Sequence, residues 1–196
     1  MNTQADARSA SRAGAAARVQ PDRPLAVRRL LAFTVDWFVV AAWGGLLFGV
    51  VMLANGGHMP SPPGPWEAQA IGFLSMTLPV TLYFATTESS GMQASLGKRV
   101  LGLVVCDHLG RQLAFRAALW RSACKFVPWE VGHLVAQQAA CSGDAGLPPW
   151  VWIAVAIAFA GPVWWVTALL ATGRTPYDRW SASHVERRRG SSVCNR

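Results

Sequence analysis

Charge is what this sequence is shortest of. Only 14% of its 196 residues are Asp, Glu, Lys or Arg, while 52% are hydrophobic. A typical soluble domain carries about 25% charged residues. The shortage is concentrated in three windows: Leu30 to Ala54 holds one charge, Asp36, whereas Ala68 to Thr87 and Trp150 to Thr172 hold none. That excludes a soluble enzyme. Cysteine is sparse as well. Cys106, Cys124, Cys141 and Cys194 form no Cys-x-x-Cys pair, so they suggest neither a zinc site nor a disulfide scaffold and read as scattered small apolar residues. The stretch 1–29 has six Arg and no apolar run before Leu30, unlike a cleaved signal peptide. Residues 1–24 therefore read as a disordered, basic, non-translocated tail. Residues 25–185 read as one membrane domain and 186–196 as a second basic tail.

A helix needs about 20 apolar residues to cross a hydrocarbon core roughly 30 Å thick. The three windows qualify, at about 30–54, 68–87 and 150–172, with Pro79 and Gly161-Pro162 kinking the last two. A fourth crossing is harder to see. Phe126 to Ala140 is short by itself and includes Glu130, His133 and two Gln. Charge placement argues for it: six basic residues lie in 1–29, six in 88–125 and six in 173–196, and none lies in 55–67 or 141–149. If a short third helix at about 123–140 crosses, with Arg121 and Lys125 snorkelling to extend it, all 18 basic residues fall on one face. The predicted fold is thus all-α, a four-helix transmembrane bundle with both termini cytoplasmic. Of the ten Trp, Trp66, Trp150 and Trp152 flank the outer connections, and Trp120, Trp129 and Trp180 fall near the inner ends. Between the second and third crossings, Val100 to Cys106 is β-prone, Asp107 to Gly110 is turn-like, and Gln112 to Phe115 suits a return strand. A small cytoplasmic β-hairpin is expected there.

Asp36 is the most informative position. A carboxylate inside a crossing costs about 2.5–3.5 kcal/mol on insertion scales and marks a functional-site hypothesis. Arg29 lies near the same helix face, but helical side chains lean toward the N-terminus, so it points away from Asp36. Lys98, Arg99 and Arg179 are the candidate partners. Asp36 then reads either as a proton- or cation-binding carboxylate or as half of a buried ion pair that fixes helix register. The glycine-rich stretch around Gly97-Lys98-Arg99 fails the Walker pattern. Five residues separate Gly91 from Gly97, and Arg99 stands where Ser or Thr must follow Lys. It reads as a basic turn able to touch lipid phosphates or Asp36. Glu130 and His133 make a single Glu-x-x-His pair where di-metal bundles need two, so a polar packing pair is expected and no metal. No spacing supports a Ser-His-Asp or Cys-His nucleophile. The Arg187–Arg189 run reads as an anionic-lipid contact, and no cofactor and no nucleic acid are expected.

Three stretches together are similar to a known family. Arg29-Leu-Leu-Ala-Phe-Thr-Val-Asp36 opens the first crossing, Ser95-Leu-Gly-Lys-Arg-Val-Leu-Gly102 lies in the inner loop, and Tyr177-Asp178-Arg179 follows the last crossing. The chain resembles the RDD family of bacterial integral membrane proteins over about residues 24–185. The resemblance implies that Arg29, Asp36 and Asp178 are the family's arginine and two aspartates. Two departures stand out: Ser95-Leu96 where Thr-Pro is common, and Trp180-Ser-Ala-Ser183 in place of a small apolar-Ala-Gly-Thr run. The resemblance also implies a multi-pass inner-membrane protein, with cation/proton transport suggested. Two functions follow as expectations. One is a small homo-oligomeric exchanger of protons and monovalent cations using Asp36. The other is a non-catalytic module that assembles with or regulates another membrane protein, in which Arg29, Asp36 and Asp178 are structural. A lipid-modifying enzyme lacks a nucleophile and is not expected.

Overall fold

A computed structural model describes residues 23–60, 64–143 and 146–188. Three of its long helices are apolar over most of their surface, which suits a lipid surrounding rather than water. Helix α1 spans Arg23–Ala54 and leaves large side chains such as Phe38 and Leu53 exposed. Helix α2 spans Pro65–Ser89 and contains a π-turn at Phe73–Thr77. Pro79 stands just beyond that turn; it has no amide to donate and crowds the preceding carbonyls. The expected kink is therefore met as a one-turn widening of a continuous helix.

The loop after α2 carries a five-residue helix α3, Leu96–Val100, and a strand β1, Leu103–Asp107. Helix α4 is Phe115–Ser142 and helix α5 is Pro149–Thr172. A short α6, Pro176–Trp180, and a strand β2, Ser183–Arg187, follow. Among the described residues three helices, α1, α2 and α5, are long and apolar enough to cross a membrane. Helix α4 runs beside α2 and α5. At 28 residues it is about 42 Å long. The short helix expected at 123–140 is thus the greater part of a longer one that begins at Phe115. Its Pro128 packs into the surface of α5 at Gly161, where an added Cβ would lie 2.5 Å from the Pro128 Cγ.

The hairpin expected within residues 100–115 is not what forms. β1 pairs antiparallel with β2, from the far side of α5, in the register Leu103↔Arg187, Val105↔Val185 and Asp107↔Ser183. The return stretch makes one isolated bridge, Cys106↔Gln112. Leu113 then turns into the core and Ala114 caps α4, so no residues remain for a ladder. The turn itself forms as read: the amides of Leu109 and Arg111 both donate to Asp107 Oδ1 at 2.8 Å. Around the sheet sits the main core, with Ala32, Ala85, Leu103, Val105, Leu113, Ala118 and Val185. At the opposite end of the bundle the Trp66 and Trp150 rings stack 6.4 Å apart.

Helix α1 starts at Arg23, seven residues before the apolar window, so the end of the tail expected at 1–24 is already helical. Residues 1–22 and 189–196, which hold the rest of that tail and most of the basic C-terminal one, lie outside the described residues. So does Cys194.

Candidate functional site

Five segments converge at the sheet end, and each brings a charge. Arg29 comes from the start of α1, Glu88 from the last turn of α2, Lys98 from α3, Arg121 from α4 and Asp178 from α6. They form one chain of ion pairs. The Glu88 carboxylate takes Lys98 Nζ on one oxygen and Arg121 Nη1, at 2.6 Å, on the other. Arg121 Nη2 reaches Asp178 Oδ1 at 2.5 Å, and Asp178 Oδ2 accepts from Arg29 Nη2 at 2.6 Å. The Arg121 side chain is 1% exposed, and those of Glu88 and Asp178 are fully buried, so bulk solvent screens these pairs little.

Local structure aims each group. Helix α5 ends on Gly173 in the left-handed conformation (φ 71°), which glycine adopts without a Cβ penalty. The turned-out Gly173 carbonyl accepts from Arg29 Nη1 at 3.2 Å. Asp178 is the third residue of α6, and its Oδ2 also takes the Thr175 amide at 3.0 Å. This is the reciprocal half of a capping box, so one carboxylate caps its own helix and binds two arginines. Arg121 further donates Nε to Ser183 Oγ at 3.1 Å and lies 5.1 Å from the Tyr177 ring. Ser183 thus supplies a hydroxyl to the network.

Asp36 sits apart from this chain. It is 2% exposed, and its carboxylate accepts the Ser95 hydroxyl at 2.6 Å and the Gly97 amide at 2.8 Å. It caps α3 from another helix, supplying an acceptor for amides that a helix start leaves unpaired. None of its three candidate partners pairs with it. Lys98 turns to Glu88, Arg99 to the Met92 sulfur at 2.9 Å, and Arg179 to Thr172 Oγ1 at 3.0 Å. Asp36 gains a partner on another segment, as its geometry required, but that partner is neutral.

Sequence reasoning missed Glu88 altogether. The available signal was an acid one residue past a charge-free window, facing a basic loop. Arg121 and Lys125, expected to snorkel to the inner interface and extend the third helix, are both buried. They are four residues apart and so share a helix face, turned inward. Lys125 Nζ lies 3.1 Å from the Phe84 ring centroid.

Further along α4, Glu130 binds Gln69 Nε2 and Thr77 Oγ1, each at 2.5 Å, and His133 Nδ1 is 3.9 Å from it. The Glu-x-x-His pair therefore ties α4 to α2, with Thr77 presented by the π-turn. Among the described residues one ligand-like group comes together, Cys106, His184 and Glu186 on the sheet. Cys106 is disulfide-bonded, so its thiolate is not offered to an ion. That bond also corrects the reading of the four cysteines as merely scattered, since pairing depends on proximity in space rather than on spacing in sequence.

Burial pushes the Asp178 carboxyl upward, but the charges of Arg121 and Arg29 outweigh it and hold it well below the usual carboxylate range. A depressed folded-state value means that its contribution to stability is present above the unfolded value, about 3.9, and is lost as pH falls through the folded one. Thermal melts of the detergent-solubilised protein should therefore show Asp178→Asn below wild type at pH 7. That gap should persist to about pH 5 and narrow progressively below about pH 4, as pH falls from the unfolded value toward the folded one. A gap that stays constant from pH 7 to pH 3 would deny Asp178 this role.

The sequence model of the RDD family matches residues 23–182. No curated protein and no solved structure matches the chain.

Proposed function

The chain belongs to the RDD family, and on that premise we propose that it is a non-catalytic inner-membrane module for assembly with, or regulation of, another membrane protein or a second copy of itself. In this reading α4 completes a bundle of four crossings, its length of about 42 Å being ample. The sheet and the ion-pair chain face the cytoplasm, because every Lys and Arg then lies on that side. Anionic lipids would meet this basic face. One observation carries the proposal. The family's arginine and second aspartate are consumed in a single chain of contacts that staples α1, α2, α3, α4 and α6 together.

A second reading, exchange of protons for monovalent cations at Asp36, is favoured by a specific feature. Asp36 lines a cavity, and among the described residues it makes no ion pair. Electrostatics weighs against it. Around that end of the cavity stand Arg29, Lys98, Arg121 and Lys125 against Asp36, Glu88 and Asp178, leaving one positive charge in excess and repelling a cation.

Asp36→Asn separates the two. For a module, wild type in everted vesicles shows no collapse of a pH gradient with Na⁺, K⁺ or Li⁺, and the variant melts lower because one of the two oxygens that accept from the Gly97 amide and the Ser95 hydroxyl becomes an amide nitrogen, a donor. A cation-driven collapse in wild type that vanishes in the variant at matched membrane levels would replace the module with an exchanger.

A further inference from the structure

Between α1, α4 and α5 lies a cavity of about 640 Å³, within the range that holds organic ligands. It arises because α1 touches α5 along little of its length. Its wall is mostly apolar and rich in aromatic rings, including Phe33, Trp37, Trp129, Phe159 and Trp165. At the sheet end the wall turns cationic, with Arg29, Lys98, Arg121 and Lys125.

Three of those four cations are already satisfied. Lys98 and Arg121 hold Glu88, and Arg121 and Arg29 hold Asp178. Lys125 is different. It is 7% exposed and lines the cavity, and among the described residues its ammonium has no hydrogen-bond acceptor and no carboxylate within ion-pair distance. Its contacts are ring faces, Phe84 at 3.1 Å and Phe126 at 4.8 Å. A buried ammonium with no carboxylate in contact recovers its desolvation cost only in part, through the more distant charges of Glu88 and Asp36. Ring quadrupoles offset part of that and supply no acceptor.

We propose that this cavity binds one anionic phospholipid of the surrounding bilayer, its phosphate on Lys125 and one acyl chain along the aromatic wall. The net charge decides the headgroup. With four cations against three carboxylates, an anionic lipid neutralises the site, whereas a zwitterionic headgroup brings its own cation beside Lys98 and Arg121. The apolar length of the cavity decides the rest of the ligand, because inorganic phosphate would fill the head position and leave the aromatic chamber unoccupied. This site is independent of whether Asp36 exchanges ions, and its test does not depend on transport.

The full chain in neutral detergent would be titrated with phosphatidylglycerol carrying brominated acyl chains. Brominated phosphatidylcholine and inorganic phosphate are the comparison probes. Bromine quenches the Trp fluorescence of a wall it touches, and Tm reports binding. Phosphatidylglycerol is expected to quench and to raise Tm at concentrations at least tenfold below those phosphatidylcholine needs, and phosphate alone should do neither. Lys125→Met removes the charge, keeps the apolar stem and should erase the preference between the two lipids. Ala136→Phe, which intrudes on the chamber away from Lys125, should weaken quenching by both lipids. Equal response to the two lipids in wild type, a Lys125→Met protein that retains the preference, or a full Tm shift with phosphate alone would each overturn the proposal.

Discussion

Replacing Arg121 with methionine is expected to be the most damaging single change in the charge network. The substitution keeps an apolar stem but removes the group that bridges Glu88 at 2.6 Å and Asp178 at 2.5 Å. Two fully buried carboxylates then face each other with Lys98, Arg29 and the more distant Lys125 to offset them. Removing one partner of a buried pair costs about 3–5 kcal/mol, mostly because the other charge is stranded. That is a large share of a total stability of about 5–15 kcal/mol. The variant should accumulate poorly in membranes, and what is extracted should melt well below wild type. Arg121→Lys should fall between, because one ammonium lacks the planar fork that serves two acids at once. The diagnostic experiment is rescue. Adding Glu88→Gln and Asp178→Asn to Arg121→Met removes the stranded charges and should recover part of the lost Tm. If the triple variant is no better than Arg121→Met alone, the damage lies in packing around Tyr177 and not in unpaired charge.

The same network shows what the sequence could and could not disclose. The spans of α1, α2 and α5 were legible because crossing a membrane is written in composition over about 20 residues, which needs no tertiary information. The turn at Asp107 was legible for a similar reason, since it is made by a side chain and amides at most four residues apart. The partner of β1 was not. Its ladder is to residues some 80 positions later, and nothing local distinguishes Ser183–Arg187 from Gln112–Phe115 as a strand. The pairing of Arg29 with Asp178 crosses the whole chain in the same way. These two residues were singled out by family resemblance, and only the fold reveals that they meet. Glu88 and Arg121 escaped because charges beside an apolar window normally mean an interface, and burial cannot be read from one helix alone. Asp36 was the reverse case, conspicuous as a charge in an apolar run, yet held by a hydroxyl and a backbone amide that no charge-matching rule would nominate.

Gly97 is where that contact is tightest, and Gly97→Ala is expected to break it. An added Cβ would sit 2.0 Å from the Ala32 carbonyl oxygen and 2.9 Å from the Asp36 Cγ. The first of these is backbone of α1, so no rotamer change relieves it, and α3 must lift away from α1 as a unit. Lifting also lengthens the 2.8 Å Gly97 amide and 2.6 Å Ser95 hydroxyl bonds to Asp36. An opposing effect exists: alanine is favoured over glycine inside a helix by about 1 kcal/mol. Overpacking typically costs about 1–3 kcal/mol, and leaving a buried carboxylate poorly satisfied adds about 1–3 kcal/mol more. Strain therefore wins by roughly 1–5 kcal/mol. Gly91→Ala is the control, because the same loop leaves open space around Gly91. Melting of the two variants side by side should lower Tm by several degrees for Gly97→Ala and leave Gly91→Ala near wild type. Equal melting of all three proteins would mean that α3 is not clamped to α1 and that Asp36 is held by something other than this loop.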